Sequence, residues 1–139
     1  MTAASIDRLE PAAETRGPAW SVLGAVLAVV LVLDGLLSLA LEVLYLPTYI
    51  GATPFPIAAA VAAVGNVALI AGMGAVVDRP AAMSLPLIAW LFGFLICSTA
   101  GPGGDVLLTD DWASPLLLAC GLIPAGFYLF RKAFPPVRV

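Results

Sequence analysis

Four long apolar runs decide what this chain can fold into. They cover about residues 20–46, 57–77, 81–100 and 114–130, joined by short connectors. Roughly 20 apolar residues are enough for a helix to cross a hydrocarbon core about 30 Å thick. Composition points the same way: 62% of the residues are hydrophobic and 11% charged, against about 25% charged in a soluble domain. Such a chain cannot cover its surface with polar groups and needs lipid as its solvent. In lipid only helices and closed barrels satisfy every backbone polar group, and the apolar/polar alternation of barrel strands is absent. The expected fold is an all-α membrane protein with four transmembrane helices in two helical hairpins.

The flanks and connectors set boundaries and orientation. Residues 1–19 mix charges with proline and lack helical periodicity, which predicts a flexible cytoplasmic tail. A cleaved signal peptide fits less well, because this leader is net acidic and the apolar run behind it is about twice a typical signal core. Segment 47–56 is a proline-rich break, with Tyr45, Tyr49 and Phe55 suited to headgroup depth. Asp78, Arg79 and Pro80 end the second span, and 101–113 is the longest connector. Ser114 then predicts an N-cap with Pro115 at the first helical position. Pro86 and Pro124 lie within spans three and four, where a missing backbone donor predicts bends. Residues 131–139 form a short basic tail.

Arg8, Arg16, Arg79, Arg131, Lys132 and Arg138 all fall on one side of a four-span chain, while the connectors at 47–56 and 101–113 carry no basic residue. Cytoplasmic loops collect Lys and Arg, so both termini are expected in the cytoplasm of a bacterial inner membrane crossed several times. One lysine against five arginines, with abundant Ala, Gly, Pro and Val, fits a GC-rich bacterial genome. A net charge of −3 without a basic patch argues against nucleic acid as a partner.

The first span is interrupted by Asp34, Ser38 and Glu42, at i, i+4 and i+8, a spacing expected to put all three on one stripe of the helix. Counting from Trp20, Asp34 lies about 21 Å along the helix axis, past the centre of the bilayer. An ionised aspartate there costs about 2.5–3.5 kcal/mol on insertion scales. The apolar spans contain no Lys, Arg or His to pair with it. The expected compensation is protonation, or a hydrogen bond to Ser38, Asn66 or another polar neighbour in a helix interface. Glu42, about 33 Å from Trp20, is expected at the outer interface, where it can be solvated. A functional alternative makes Asp34, Ser38, Glu42 and Asn66 an intramembrane polar site.

Small residues mark candidate packing faces. Ala58, Ala62, Gly65, Ala68 and Gly72 recur with steps of three and four in the second span, which would let another backbone approach closely. Gly24 with Ala28, and Gly121 with Ala125, repeat the spacing. The outer-loop run Gly101, Pro102, Gly103, Gly104 and Asp105 lacks the Lys and Ser/Thr of a phosphate loop and reads as a tight turn. Asp105, Asp110 and Asp111 match no calcium-loop spacing and read as solvated. Trp20 and Trp112 suit interfacial anchoring, and Trp90 suits packing between helices. Cys97 and Cys120 sit in apolar runs and do not make a disulfide framework. With no histidine, no triad, no metal cluster and no nucleotide fingerprint, neither an enzyme nor a cofactor is expected.

The stretch PFPIAAAVAAVGNVALIAG (54–72), with Pro56 and Asn66, together with Trp90 and GPGGDVLL (101–108), resembles a group of small, uncharacterised actinobacterial four-helix integral membrane proteins. The resemblance covers roughly residues 50–130. It implies a fold and a taxonomic range, and carries no activity, substrate or cofactor; Asp34 and Glu42 fall outside it. Two functions from different classes follow. The first is a non-enzymatic accessory or scaffolding subunit of a larger membrane complex, with the bilayer and another membrane protein, or a second copy, as partners. The alternative is a small proton-coupled transporter acting as a homodimer with Asp34 as the coupling carboxylate. In having four short helices and an acid in the first, the chain resembles the small multidrug resistance architecture. It departs from that architecture in the scarcity of aromatic residues around Asp34 and in lacking the family signature.

Overall fold

The structure, a computed structural model, describes residues 18–46, 49–50, 53–54, 57–99, 108 and 112–135, the side chains of 18–20, 49–50 and 53–54 excepted. The N-terminal tail, the outer-loop residues Gly101, Pro102, Gly103, Gly104 and Asp105, and Asp110 and Asp111 lie outside the described residues, as do Arg8, Arg16 and Arg138. Five helices are described: α1 (Pro18–Leu44), α2 (Ile57–Val76), the single turn α3 (Pro80–Met83), α4 (Leu85–Thr99) and α5 (Ala113–Ala133). Between α1 and α2, β1 (Tyr49–Ile50) pairs antiparallel with β2 (Thr53–Pro54), Ile50 opposite Thr53. By length and composition α1, α2 and α5 can each cross a membrane; α4 is apolar but shorter.

Proline placement explains the breaks. The third apolar run is not one helix. It is divided at Ser84, between α3 and α4, and Pro86 occupies the second position of α4 rather than its interior. A proline is cheap there, because the first turn's N–H groups have no intrahelical acceptor, and, lacking an N–H, it cannot carry the bonding of α3 on across Ser84. Pro80 likewise opens α3. α5 begins two residues before the sequence signal: Trp112, not Ser114, is its N-cap, without a side-chain cap bond, and Ser114 lies buried in the first turn. Pro115 falls within that same donor-free turn. α5 runs on through Pro124 and closes with Arg131 and Lys132, whose charges suit the helix C-terminus.

The bundle is knit by close approaches. α1 packs on α2 and α4, and α2 packs on α5 and α4. Gly35 of α1 lies against the Pro86 backbone, and Leu39 lies against Gly93 of α4, so these two helices run parallel. Leu31 meets Gly72, and Gly24 meets Val76, so α1 and α2 are antiparallel. Arg79, Arg131 and Lys132 therefore gather at the end of the bundle where α1 begins. Leu39, Ala58, Ala62, Trp90, Phe94 and Leu117 form one core cluster, with Leu46 and Leu108 at its margin. Ile70, Leu87 and Ala125 form a second, with Met83 and Tyr128 packed on it.

On α2 the inward face is Ala58, Ala59, Ala62, Asn66, Leu69, Ile70 and Met73. It shares Ala58 and Ala62 with the expected small-residue face and then departs from it. Ala68 is exposed, and a Cβ on Gly65 would meet nothing within 4 Å. At about 100° per residue, steps of 4, 3, 3 and 4 carry Gly65, Ala68 and Gly72 away from the centre of the buried face, whereas Asn66 stays on it. A Cβ on Gly72 would make only an ordinary contact, 3.5 Å, with Leu31.

Candidate functional site

Two polar side chains lie at the heart of the bundle, and both are tied to other helices. Glu42 is 3% exposed, and its Oε2 accepts a hydrogen bond from Trp90 Nε1 at 2.7 Å. Asn66 is 1% exposed, and its Nδ2 donates to the Gly121 carbonyl at 3.2 Å. The Trp90 ring joins the two. It is fully buried, stacks on Phe94 with centroids 5.7 Å apart, and its far edge lies over Gly121. A Cβ on Gly121 would come within 2.5 Å of Trp90 Cη2. Glu42, Trp90, Gly121 and Asn66 thus connect α1, α4, α5 and α2 in series. Each of these two side chains keeps one oxygen, Glu42 Oε1 and Asn66 Oδ1, that is buried and has no hydrogen-bond partner among the described residues.

The expected roles of the two carboxylates are exchanged. Glu42 is not solvated at an interface; it is inside the bundle. Asp34 is exposed on the outer wall of α1, not held in an interface within the chain. The helix geometry accounts for this. Each i+4 step advances about 400°, or 40° past a full turn, so Asp34, Ser38 and Glu42 spiral roughly 80° around α1 instead of standing on one line. Ser38, half-buried between them, donates to the Gly35 carbonyl at 3.1 Å, and Asn66 is engaged with Gly121. Neither compensates Asp34, which makes no hydrogen bond or ion pair among the described residues.

Beside Glu42 a partly open pocket of about 260 Å³ lies between α1 and α2. It is lined by Ser38, Leu41 and Glu42 of α1, Tyr45 just beyond, and Ile57, Ala58 and Val61 of α2. Cys97 and Cys120 are free thiols, and no group of three metal-ligating side chains occurs among the described residues. Sequence reasoning placed Trp90 between helices but did not find its partner Glu42, nor the close approaches at Gly35 and Gly93. The signal for Gly35 was its position in the middle of a long apolar helix, where glycine weakens the helix unless a neighbour needs the room.

No protein family, curated protein or solved structure matches the chain.

Proposed function

We propose that this is a non-enzymatic integral membrane protein of the bacterial inner membrane, an accessory subunit held in a larger complex through the outer wall of α1. Asp34 carries the reading. It is exposed near the middle of a 24-residue apolar stretch, Ser21–Leu44, in which only Gly35, Leu39 and Glu42 are buried within the chain, whereas seven residues of the shorter α2 are buried. Intramembrane carboxylates face protein or a water-filled cavity rather than lipid, so a second protein belongs on this wall. The buried polar groups, in contrast, are used to fix helices to one another. In this reading all four apolar helical segments cross the bilayer, with α3 and α4 together making the third crossing. Both termini are cytoplasmic, on the side of Arg79, Arg131 and Lys132.

The test is purification of the full chain from its native membranes in mild detergent, with mass spectrometry of what co-elutes. A stoichiometric larger membrane protein, reduced by Asp34→Leu, is the expected result; a lone monomer refutes the reading.

A second reading is favoured by the pocket that reaches Ser38, one turn from Asp34. A homodimeric proton-coupled transporter would use Asp34 as its coupling carboxylate and the pocket for its substrate. Asp34→Asn cannot exchange a proton, so a cellular phenotype unchanged by that substitution at normal protein level removes this reading.

A further inference from the structure

We propose that the partner of α1 carries a lysine or arginine at mid-bilayer depth, placed opposite Asp34. The inference rests on the docking reading above and adds the chemistry of the contact.

Asp34 stands in an outward stripe with steps of three and four: Leu27 (43% exposed), Val30 (52%), Asp34, Leu37 (62%) and Leu41 (57%). That is the spacing of a helix-to-helix seam, in which a single polar residue fixes register. Asp34 lies 13 residues from Ser21 and 10 from Leu44, the ends of the apolar stretch. At 1.5 Å per residue it is about 20 Å from one end and 15 Å from the other. A side chain as short as aspartate cannot snorkel over that distance, and lipid headgroup cations are equally far away.

Among the described residues none supplies a counter-charge to Asp34. The chain's described basic residues sit at the end of the bundle where α1 begins. Arg131 lies over the Phe127 ring and Lys132 over the Tyr128 ring, each 5.9 Å from the centroid. A second copy docked on the same stripe would bring carboxylate to carboxylate and no cation, in either orientation. Charge complementarity therefore requires a different chain. A lysine or arginine facing Asp34 would neutralise the carboxylate and supply the donors it lacks, and Asp34 would do the same for a residue equally costly to leave in lipid.

The experiment uses the full chain in its native membranes with a photo-crosslinking amino acid in place of Leu37, and a control in place of Ile123 on α5. The crosslinked peptide is identified by mass spectrometry. The expected result is an adduct from Leu37 to a transmembrane helix with Lys or Arg near its midpoint. Asp34→Leu, which inserts more readily than the parent, should lower that adduct roughly 10-fold. Asp34→Lys should abolish it, and reversing the partner's basic residue to Asp should restore it. An adduct to a helix without an intramembrane basic residue, or to a second copy alone, overturns the cationic partner while leaving docking at α1 intact. An adduct unaffected by Asp34→Leu also overturns it. Adducts to lipid only, at both positions, overturn the docking reading as well.

Discussion

Replacing Gly121 by alanine tests the centre of the bundle with a single methyl group. The new Cβ would lie 2.5 Å from Trp90 Cη2, 2.7 Å from Cζ2 and 3.1 Å from Cζ3, where ordinary contact begins near 3.4 Å. The indole must then retreat by roughly 0.9 Å, the difference between 3.4 and 2.5 Å. It has little room to do so. Its Nε1 is fixed to Glu42 at 2.7 Å, Phe94 stacks on one face, and the side chain is fully buried. Overpacking of this kind costs about 1–3 kcal/mol. The control lies five residues further along the same helix, since a Cβ on Gly126 would meet nothing within 4 Å. Both substitutions gain the same helix-propensity difference, up to about 1 kcal/mol, so it cancels when the two variants are compared. Gly121→Ala should therefore unfold about 1–3 kcal/mol more easily than Gly126→Ala, measured by reversible denaturation in micelles followed by circular dichroism. Equal stability of the two variants would show that Trp90 does not rest on Gly121.

Three further substitutions probe the same framework. Trp90→Phe removes the donor that Glu42 accepts from, and a double-mutant cycle with Glu42→Leu, which removes the acceptor, should give a coupling of about 0.6 kcal/mol, up to roughly 1.7, as for other hydrogen bonds between membrane helices. Zero coupling would mean the bond does not contribute. Gly35→Ala would put a Cβ 2.6 Å from the Pro86 carbonyl oxygen. Backbone cannot yield as a side chain can, so α1 and α4 should separate, read as a longer spin-label distance between them. A Cβ on Gly65 would meet nothing within 4 Å, so Gly65→Ala should gain up to about 1 kcal/mol from helix propensity with no packing penalty; a loss of about 2 kcal/mol or more would place Gly65 in a contact it does not show.

How much of this was legible in the sequence depends on whether the information is local. The apolar runs, the proline breaks and the clustering of basic residues are properties of neighbouring residues, and helices do form where those signals lie. The inward face of α2 was legible only at its start. Ala58 and Ala62 suit either of two small-residue tracks, and the choice between Gly65 and Asn66 as the next inward residue depends on what the facing helix offers. Asn66 wins because the Gly121 carbonyl accepts from it. That carbonyl is 55 positions away, and no spacing rule along one helix can reveal it. Gly93 is a similar case, since the contact that needs its lack of a side chain is Leu39 on another helix.

The two carboxylates of α1 show why polarity alone misleads in a helix this apolar. Judged by depth, Asp34 is the group that needs shelter and Glu42 the one that can reach water. Judged by angle, the assignment reverses, because eight residues rotate the helix about 80° beyond two whole turns. Glu42 comes to face Trp90, whose indole is buried in the core and whose N–H also needs an acceptor there. Each supplies what the other lacks, so both can be enclosed. Asp34 is turned away from the described donors of its own chain, near the middle of an apolar helix where a donor is most needed. In the proposed docking, a carboxylate so placed is a cost to the isolated chain and a gain in the assembly. Under the proposed docking, Glu42 holds the bundle together and Asp34 holds the bundle to its partner.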